Sequence, residues 1–216
     1  MASSAFHLPV WFDLGATFAF ALTGALAAIK RGYDIVGVFF LALASGLGGA
    51  LIRDGVFIHT GTPTPLLTDP RYIELVAAAT VAGALFGRHL KRFRRSVAVI
   101  DALGLGAYAV FGVQKSLQAG LAVPAALLVG VINAAGGGLL RDVITGEEPL
   151  VFKPGQFYVL TALAGAVTFV FLTVQLGVSA TRAGLVAIAL TFIFRALSIT
   201  FNWRTAPVGE TPPPLR

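Results

Sequence analysis

Long apolar stretches separated by short polar linkers dominate the chain. Seven stand out: Trp11–Ile29, Ile35–His59, Tyr72–Leu90, Val97–Gln118, Pro124–Thr145, Gln156–Leu176 and Arg182–Trp203. Each is close to the roughly 20 residues an α-helix needs to cross the hydrocarbon core of a bilayer. Barrel strands would alternate polar and apolar positions over about 10 residues; these runs are too long and too uninterrupted for that. The pattern therefore predicts an all-α integral membrane protein with seven transmembrane helices in one domain, residues 1–203. The linkers are Lys30–Asp34, Gly61–Arg71, Lys91–Ser96, Gly146–Gly155 and Gly177–Thr181. The tail, residues 204–216, ends in Pro212, Pro213 and Pro214 and is expected to be disordered.

Composition sharpens this picture. Hydrophobic residues make up 56% of the 216 and charged residues 12%, and mean hydropathy is +0.84. Soluble domains carry about 25% charged residues, so a water-soluble surface cannot be assembled here. That excludes a soluble enzyme, a nucleic-acid-binding domain and a disordered chain. Cysteine is absent, which excludes a disulfide framework and a thiolate nucleophile. Met1–Leu8 holds no Lys or Arg and Asp13 sits early in the first apolar run; the first span reads as retained, not as a signal peptide.

The net charge of +6 reports orientation. With seven spans, one face collects Lys30, Arg31, Arg88, Lys91, Arg92, Arg94, Arg95, Lys153, Arg204 and Arg216. The other collects Arg71, Lys115 and Arg182, while Arg53, Arg141 and Arg195 fall within spans. The positive-inside rule then puts the C-terminus in the cytoplasm and the N-terminus outside a cell inner (plasma) membrane. The run Lys91–Arg95 is a topology anchor able to touch anionic lipid.

The chain also repeats itself. Trp11–Asp54 aligns on Val99–Asp142 without gaps at an offset of 88, with 10 of 44 positions identical. Asp13 matches Asp101, Gly24 matches Gly112, Gly48-Gly49 matches Gly136-Gly137, and Arg53-Asp54 matches Arg141-Asp142. Rare charged residues do not coincide in this way through composition alone. Repeat one spans residues 11–90 and repeat two 97–176, with the helix at 182–203 outside both. Three spans per repeat, an odd number, means that the second copy enters the membrane from the opposite face. Inverted repeats of this kind are typical of proteins that move solutes, with the site near the midplane at the repeat interface.

At helical spacing Ser45, Gly49 and Arg53 share a face, and Asn133, Gly137 and Arg141 repeat that stripe. The glycines Gly48, Gly49, Gly136, Gly137 and Gly138 have two readings. They break their helices and free backbone carbonyls for water or an ion, or they allow helices to pack closely. Arginines at such depth face a bundle interior or an aqueous cavity, or else belong to structural ion pairs. Counting depth along each span puts Asp13 with Arg53 and Asp54 in one half of the membrane, and Asp101 with Arg141 and Asp142 in the other. Two charged clusters are therefore expected, Asp13 near Arg53 and Asp101 near Arg141.

Lys115 reads as a snorkelling anchor or as a charge at a pore mouth, with Glu74 at similar depth as a partner; Arg195 reads as a snorkelling side chain. Gly104–Ala109 matches a dinucleotide pattern but lies inside an apolar span, so it is rejected. His7, His59 and His89 have no metal-ligand spacing, and no catalytic motif is recognisable. Neither a catalytic residue, a metal nor a cofactor is expected.

Seven spans, a doubled three-span unit and a Gly-Gly-x-x-x-Arg-Asp segment in both the second and fifth spans resemble the prokaryotic trimeric intracellular cation channel (TRIC) family. The resemblance covers roughly Trp11–Trp203. It implies a homotrimer in membrane lipid with a pore inside each subunit, potassium or sodium as permeant ion, and bound lipid. It also implies second and fifth helices kinked at Gly48-Gly49 and Gly136–Gly138, with Lys115 in a gating position. Neither a nucleic acid nor a soluble protein partner is implied. The same family also carries the label glycine transporter, so a secondary transporter of a small zwitterion is the alternative. A cation pore additionally requires that Asp13, Asp54, Asp101 and Asp142 neutralise the arginines, or that one of the cations acts as a gate.

Overall fold

The computed structural model describes residues 7–59, 63–87, 93–153 and 157–203. The described residues are helical, with no strand among them. The helices are α1 (Trp11–Lys30), α2 (Ile35–Ile52), the short α3 (Pro65–Thr68), α4 (Pro70–Phe86), α5 (Phe93–Gln118), α6 (Val123–Ile144), α7 (Tyr158–Val170) and α8 (Ala180–Thr200). Two of them run on into a π-helical turn, α2 at Arg53–Phe57 and α7 at Phe171–Gln175. Among the described residues six helices are long and apolar enough to cross a membrane: α1, α2 with its π-turn, α5 from Val97, α6, α7 with its π-turn, and α8. The third apolar run appears as α4, which has 17 residues within the described part.

Local chemistry sets the boundaries. Asp34 caps α2 by accepting from the Gly37 amide at 2.8 Å. Asp69 caps α4, with Pro70 in its first turn, where a missing N–H costs nothing. Helices α1 and α5 end alike. Gly32 and Gly120 take positive φ, and the next amides, Tyr33 and Leu121, reach back to the carbonyls of Ala28 and Ser116 at 3.1 and 3.0 Å. These positions match under the 88-residue offset. Two expected linkers are more ordered than the apolar pattern predicts. The region Gly61–Arg71 contains α3 and the start of α4, and α5 begins at Phe93, inside the expected loop Lys91–Ser96. The expected tail, residues 204–216, lies outside the described residues.

Helices α1, α2 and α4 pack on one another, as do α5, α6 and α7. The two groups join through α1 against α5 and α2 against α6, and α8 packs on α5 and α7. Polarity is inverted relative to a soluble protein. Asp13, Arg53, Asp101, Arg141 and Arg195 are buried, while Phe40, Leu85, Val167 and Ile193 are exposed. A lipid-facing surface accounts for the outer apolar shell. Lipid supplies no hydrophobic drive between helices, so small residues in close contact and interhelical hydrogen bonds hold the bundle.

Candidate functional site

The two Gly-Gly-x-x-x-Arg-Asp segments cross each other at the centre of the bundle. A Cβ on Gly49 would overlap the carbonyl oxygen of Asn133, and a Cβ on Gly137 would overlap the carbonyl oxygen of Ser45. Gly136 lies against the Gly49 Cα, where a Cβ would come within 2.8 Å. Gly24 is pressed in the same way on Ser45 and Ala42, and Gly112 on Asn133 and Gly130. The contacts of Gly49 with Asn133 and of Gly137 with Ser45 are exchanged by the 88-residue offset, as are those of Gly24 and Gly112; the Gly136–Gly49 contact is not, since Gly48 meets the Leu140 side chain. The expectation of broken helices is corrected here. α2 stays α-helical through Gly46, Gly48 and Gly49 to Ile52, and α6 through Gly136–Gly138 to Ile144. The glycines serve backbone-to-backbone approach, and the irregularity in α2 comes one turn later, at Arg53–Phe57.

That π-turn holds the first charged cluster. Arg53 is 0% exposed and grips Asp54 with two hydrogen bonds, Nε to Oδ1 at 2.6 Å and Nη2 to Oδ2 at 2.9 Å. Its Nη1 lies 3.8 Å from Asp13 Oδ1 and donates to Asn133 Oδ1 at 3.3 Å. Asp13 also accepts from the Tyr72 hydroxyl at 2.6 Å, and Asp54 from Thr64 Oγ1 at 2.5 Å. Lys115 Nζ stands 3.7 Å from Asp54 and 5.6 Å from the centre of the Phe111 ring. Lys115 thus turns into this cluster instead of snorkelling, and it meets Asp54 where Glu74 was expected.

The second cluster follows the same plan. Arg141 Nε donates to Asp142 at 2.9 Å, and its Nη1 donates to Asp101 at 3.1 Å and to Thr23 Oγ1 at 2.9 Å. Thr23 and Phe111 are matched positions, and the guanidinium of Arg53 lies over Phe111 at 5.7 Å. Asp142 takes the Leu150 amide at 3.3 Å. Arg195 reaches this end from α8. It is 2% exposed and its guanidinium lies 4.9 Å from the centre of the Tyr158 ring. The snorkelling reading of Arg195 is therefore corrected, because its side chain is inside the bundle.

Between the clusters the side chains pack closely. The rings of Phe20 and Tyr108, another matched pair, stack with centroids 5.4 Å apart. The Tyr108 hydroxyl donates to the Gly46 carbonyl and accepts from Thr17 Oγ1 at 2.7 Å. Asn133 Nδ2 donates to the Tyr108 carbonyl at 2.7 Å. Ser45 is fully buried and its Oγ has no hydrogen-bond partner. Asp101 and Lys115 lie fourteen residues apart on α5, so the clusters stand about 21 Å apart along its axis at 1.5 Å per residue.

A cavity opens onto each cluster. One, of about 710 Å³, is lined by Asp54, Lys115, Thr64, His59 and Gln118 at one end of α5. The other, of about 490 Å³, is lined by Asp101, Arg141, Asp142, Arg195, Ala27 and Thr145 at the opposite end. Counting formal charges, Asp13 and Asp54 balance Arg53 and Lys115, while Asp101 and Asp142 balance Arg141 and Arg195. A cavity at each end and charge balance at each, on either side of a close-packed glycine crossing, suit the passage of small ions better than chemistry. Among the described residues no group of His, Asp and Glu has the arrangement of a metal site. Tyr72, Tyr108, Thr17, Thr23 and Thr64 carry much of the hydrogen bonding, Tyr158 lies under the Arg195 guanidinium, and all of them escape sequence reasoning. Uniformly apolar helices give no amphipathic signal for the direction of a hydroxyl. The one available clue is that Tyr72 and Tyr158 fall near corresponding places in the two repeats.

Comparison with known proteins agrees with this architecture. A family model described as "Glycine transporter" matches residues 10–89 and 98–174. The UPF0126 membrane protein SCO4104 of Streptomyces coelicolor is 43% identical over 202 residues, covering 93% of this chain and 91% of that protein. The UPF0126 inner membrane protein YadS of Escherichia coli is 27% identical, covering 90% and 93%. Among solved structures, the TRIC trimeric intracellular cation channel orthologue from Rhodobacter sphaeroides superimposes with a TM-score of 0.83 at 32% identity, covering 89% of this chain and 97% of that one. By its sequence and its fold, the chain belongs to the TRIC family of membrane proteins, the family of the UPF0126 proteins and of that "Glycine transporter" model.

Proposed function

We propose that the protein is a monovalent cation channel for potassium and sodium, with a pore through each subunit of a homotrimer. The observation that carries this reading is the pair of charge-balanced cavities entering from opposite ends of α5 and separated by the Gly49–Gly137 crossing. The likeness to a trimeric cation channel orthologue supports the ion class and the trimer. In this reading the structure is a closed state: ions enter either cavity, pass along the Asp54 and Asp101 carboxylates, and cross where Ser45 and Asn133 flank the glycines. Lys115, beside Asp54 at the mouth of one cavity, is the candidate gate.

The proposed architecture has seven spans, with α4 as the third, arranged as two inverted repeats plus α8. The contacts exchanged by the 88-residue offset support the repeat. The Lys/Arg distribution supports an external N-terminus and a cytoplasmic C-terminus, and the likeness to an inner membrane protein supports that location. No catalytic step is part of the proposal. A reporter fused at the C-terminus is expected to be cytoplasmic; external labelling would reverse the orientation.

The deciding experiment is bilayer recording of purified protein with unequal potassium chloride across the membrane. Unitary currents reversing near the potassium potential support the channel. The second reading, transport of a zwitterion such as glycine, is favoured by the description of the family model. It predicts saturable glycine uptake into vesicles with no unitary current. The mutual engagement of Arg53 with Asp54 and of Arg141 with Asp101 and Asp142 favours the channel, because a zwitterion would have to break those pairs in order to bind.

A further inference from the structure

The two clusters differ in where their second cation originates. At one end it is Lys115, carried by α5 within the second repeat and lining its cavity. Under the 88-residue offset, the position matching Lys115 is Ala27. Ala27 lines the opposite cavity, as the repeat requires, but it brings no charge. The charge there comes from outside both repeats. Arg195 on α8 lines the same cavity, buried from bulk solvent, with its guanidinium over the Tyr158 ring.

Arg141 is the other cation at this end, and its guanidinium meets Asp142, Asp101 and Thr23. Asp101, whose Oδ2 has no hydrogen-bond partner, acts electrostatically on Arg195. With Arg195 the four buried charges at this end sum to zero; without it they sum to −1. The rim charges Lys30, Arg31, Glu147, Glu148 and Lys153 also line the cavity, but an exposed rim is screened by salt far more than a buried group.

We infer that Arg195 is a conductance-determining residue: the field of its guanidinium sets how readily cations enter from the Arg141 end, as Lys115 does at the other. This rests on the channel reading. One unit of charge about 6 Å from an ion in water changes the local cation concentration about threefold at low salt. The effect weakens as salt rises, less steeply than that of the exposed rim charges. The ratio of currents at opposite polarities in symmetrical potassium chloride therefore depends on the charge at residue 195.

The absence of cysteine in the chain makes a direct test possible. Arg195→Cys in the full-length protein is recorded in a bilayer, then treated from each bath in turn with cationic, anionic or neutral methanethiosulfonate reagents. The cationic adduct is expected to restore the unmodified current ratio. The anionic adduct is expected to drive it the other way, by about threefold at low salt. Arg195→Lys, which keeps the charge, is expected to retain the unmodified ratio, and Arg195→Gln, which removes it, to shift the ratio toward that of the anionic adduct; this pair decides the matter if the cysteine variant fails to insert. A purely structural role for Arg195 would be indifferent to the sign of the adduct. Currents present in the unmodified protein but indifferent to reagent sign overturn this inference alone. No cation current from the unmodified protein overturns the channel reading and this inference with it.

Discussion

Arg141 is the cation on which the second cluster depends, and a double-mutant cycle between it and Asp101 tests that dependence. Asp101→Asn leaves Arg141 with Asp142, so one of its two carboxylates remains. Removing one partner of a buried ion pair costs about 3–5 kcal/mol; with a second acid still in place, about half of that, ~2 kcal/mol, is expected. Arg141→Gln strands both carboxylates and takes the full cost. At about 2–4 °C per kcal/mol for a chain of this size, the melting temperature in detergent falls by about 4–8 °C for Asp101→Asn. For Arg141→Gln it falls by about 6–20 °C. The double variant is the informative member. It removes one of the two stranded acids, so it melts above the sum of the single losses, with a coupling of at least ~1.5 kcal/mol. Fluorescence-monitored melting of all four proteins reads this directly. Losses that add to within about 0.5 kcal/mol would show that the 3.1 Å contact carries no energy, and the account of the cluster as a paired unit would fall.

Other expectations follow from the same geometry. Gly49→Ala and Gly137→Ala push a methyl into the opposing carbonyl, so each destabilises by about 1–3 kcal/mol or blocks folding, whereas Gly15→Ala and Gly55→Ala, with open space at the Cβ, change melting little; equal effects in both pairs would remove the crossing as the reason for these glycines. Lys115→Met leaves Asp54 with Arg53 and Thr64 and takes the net charge of that cluster to −1, so potassium conductance in a bilayer rises, and an unchanged conductance would separate Lys115 from the ion path. The exposed Arg31–Glu147 pair, 2.6 Å apart, joins the α1–α2 loop to the segment after α6 and holds the Glu147 carboxyl below its usual value of 4.5. Its contribution is present above that value and is lost as pH falls through the lowered one, so Glu147→Gln should differ from the unmodified protein in melting at pH 7 and match it at strongly acid pH; a difference that persists in acid would point to another role for Glu147.

The all-helical membrane character and six membrane-length helices were legible from hydropathy alone. A bilayer demands about 20 apolar residues per helix, and a closed barrel, the other arrangement that satisfies the backbone there, would need alternating runs half as long. The pairing of Asp13 with Arg53 and of Asp101 with Arg141 was also within reach, because residues at equal depth on adjacent spans can meet and isolated charges in lipid cannot persist. Rotation about each helix axis was not within reach. α8 carries only a short polar stripe, Thr191, Arg195 and Ser198 at helical spacing, and a long side chain at that depth can equally reach the interface, so the stripe by itself does not settle that Arg195 points inward to Tyr158. The glycines were ambiguous for a related reason. A glycine pair weakens an isolated helix, yet here the missing side chains let α2 and α6 bring Cα against carbonyl, and the packing gained at the crossing keeps both helices intact. Depth is a property of position along the chain and is written in the order of residues. Which way a side chain faces, and whether a glycine bends a helix or seats its neighbour, is decided by the helix that packs against it, and that exists only once the bundle has formed.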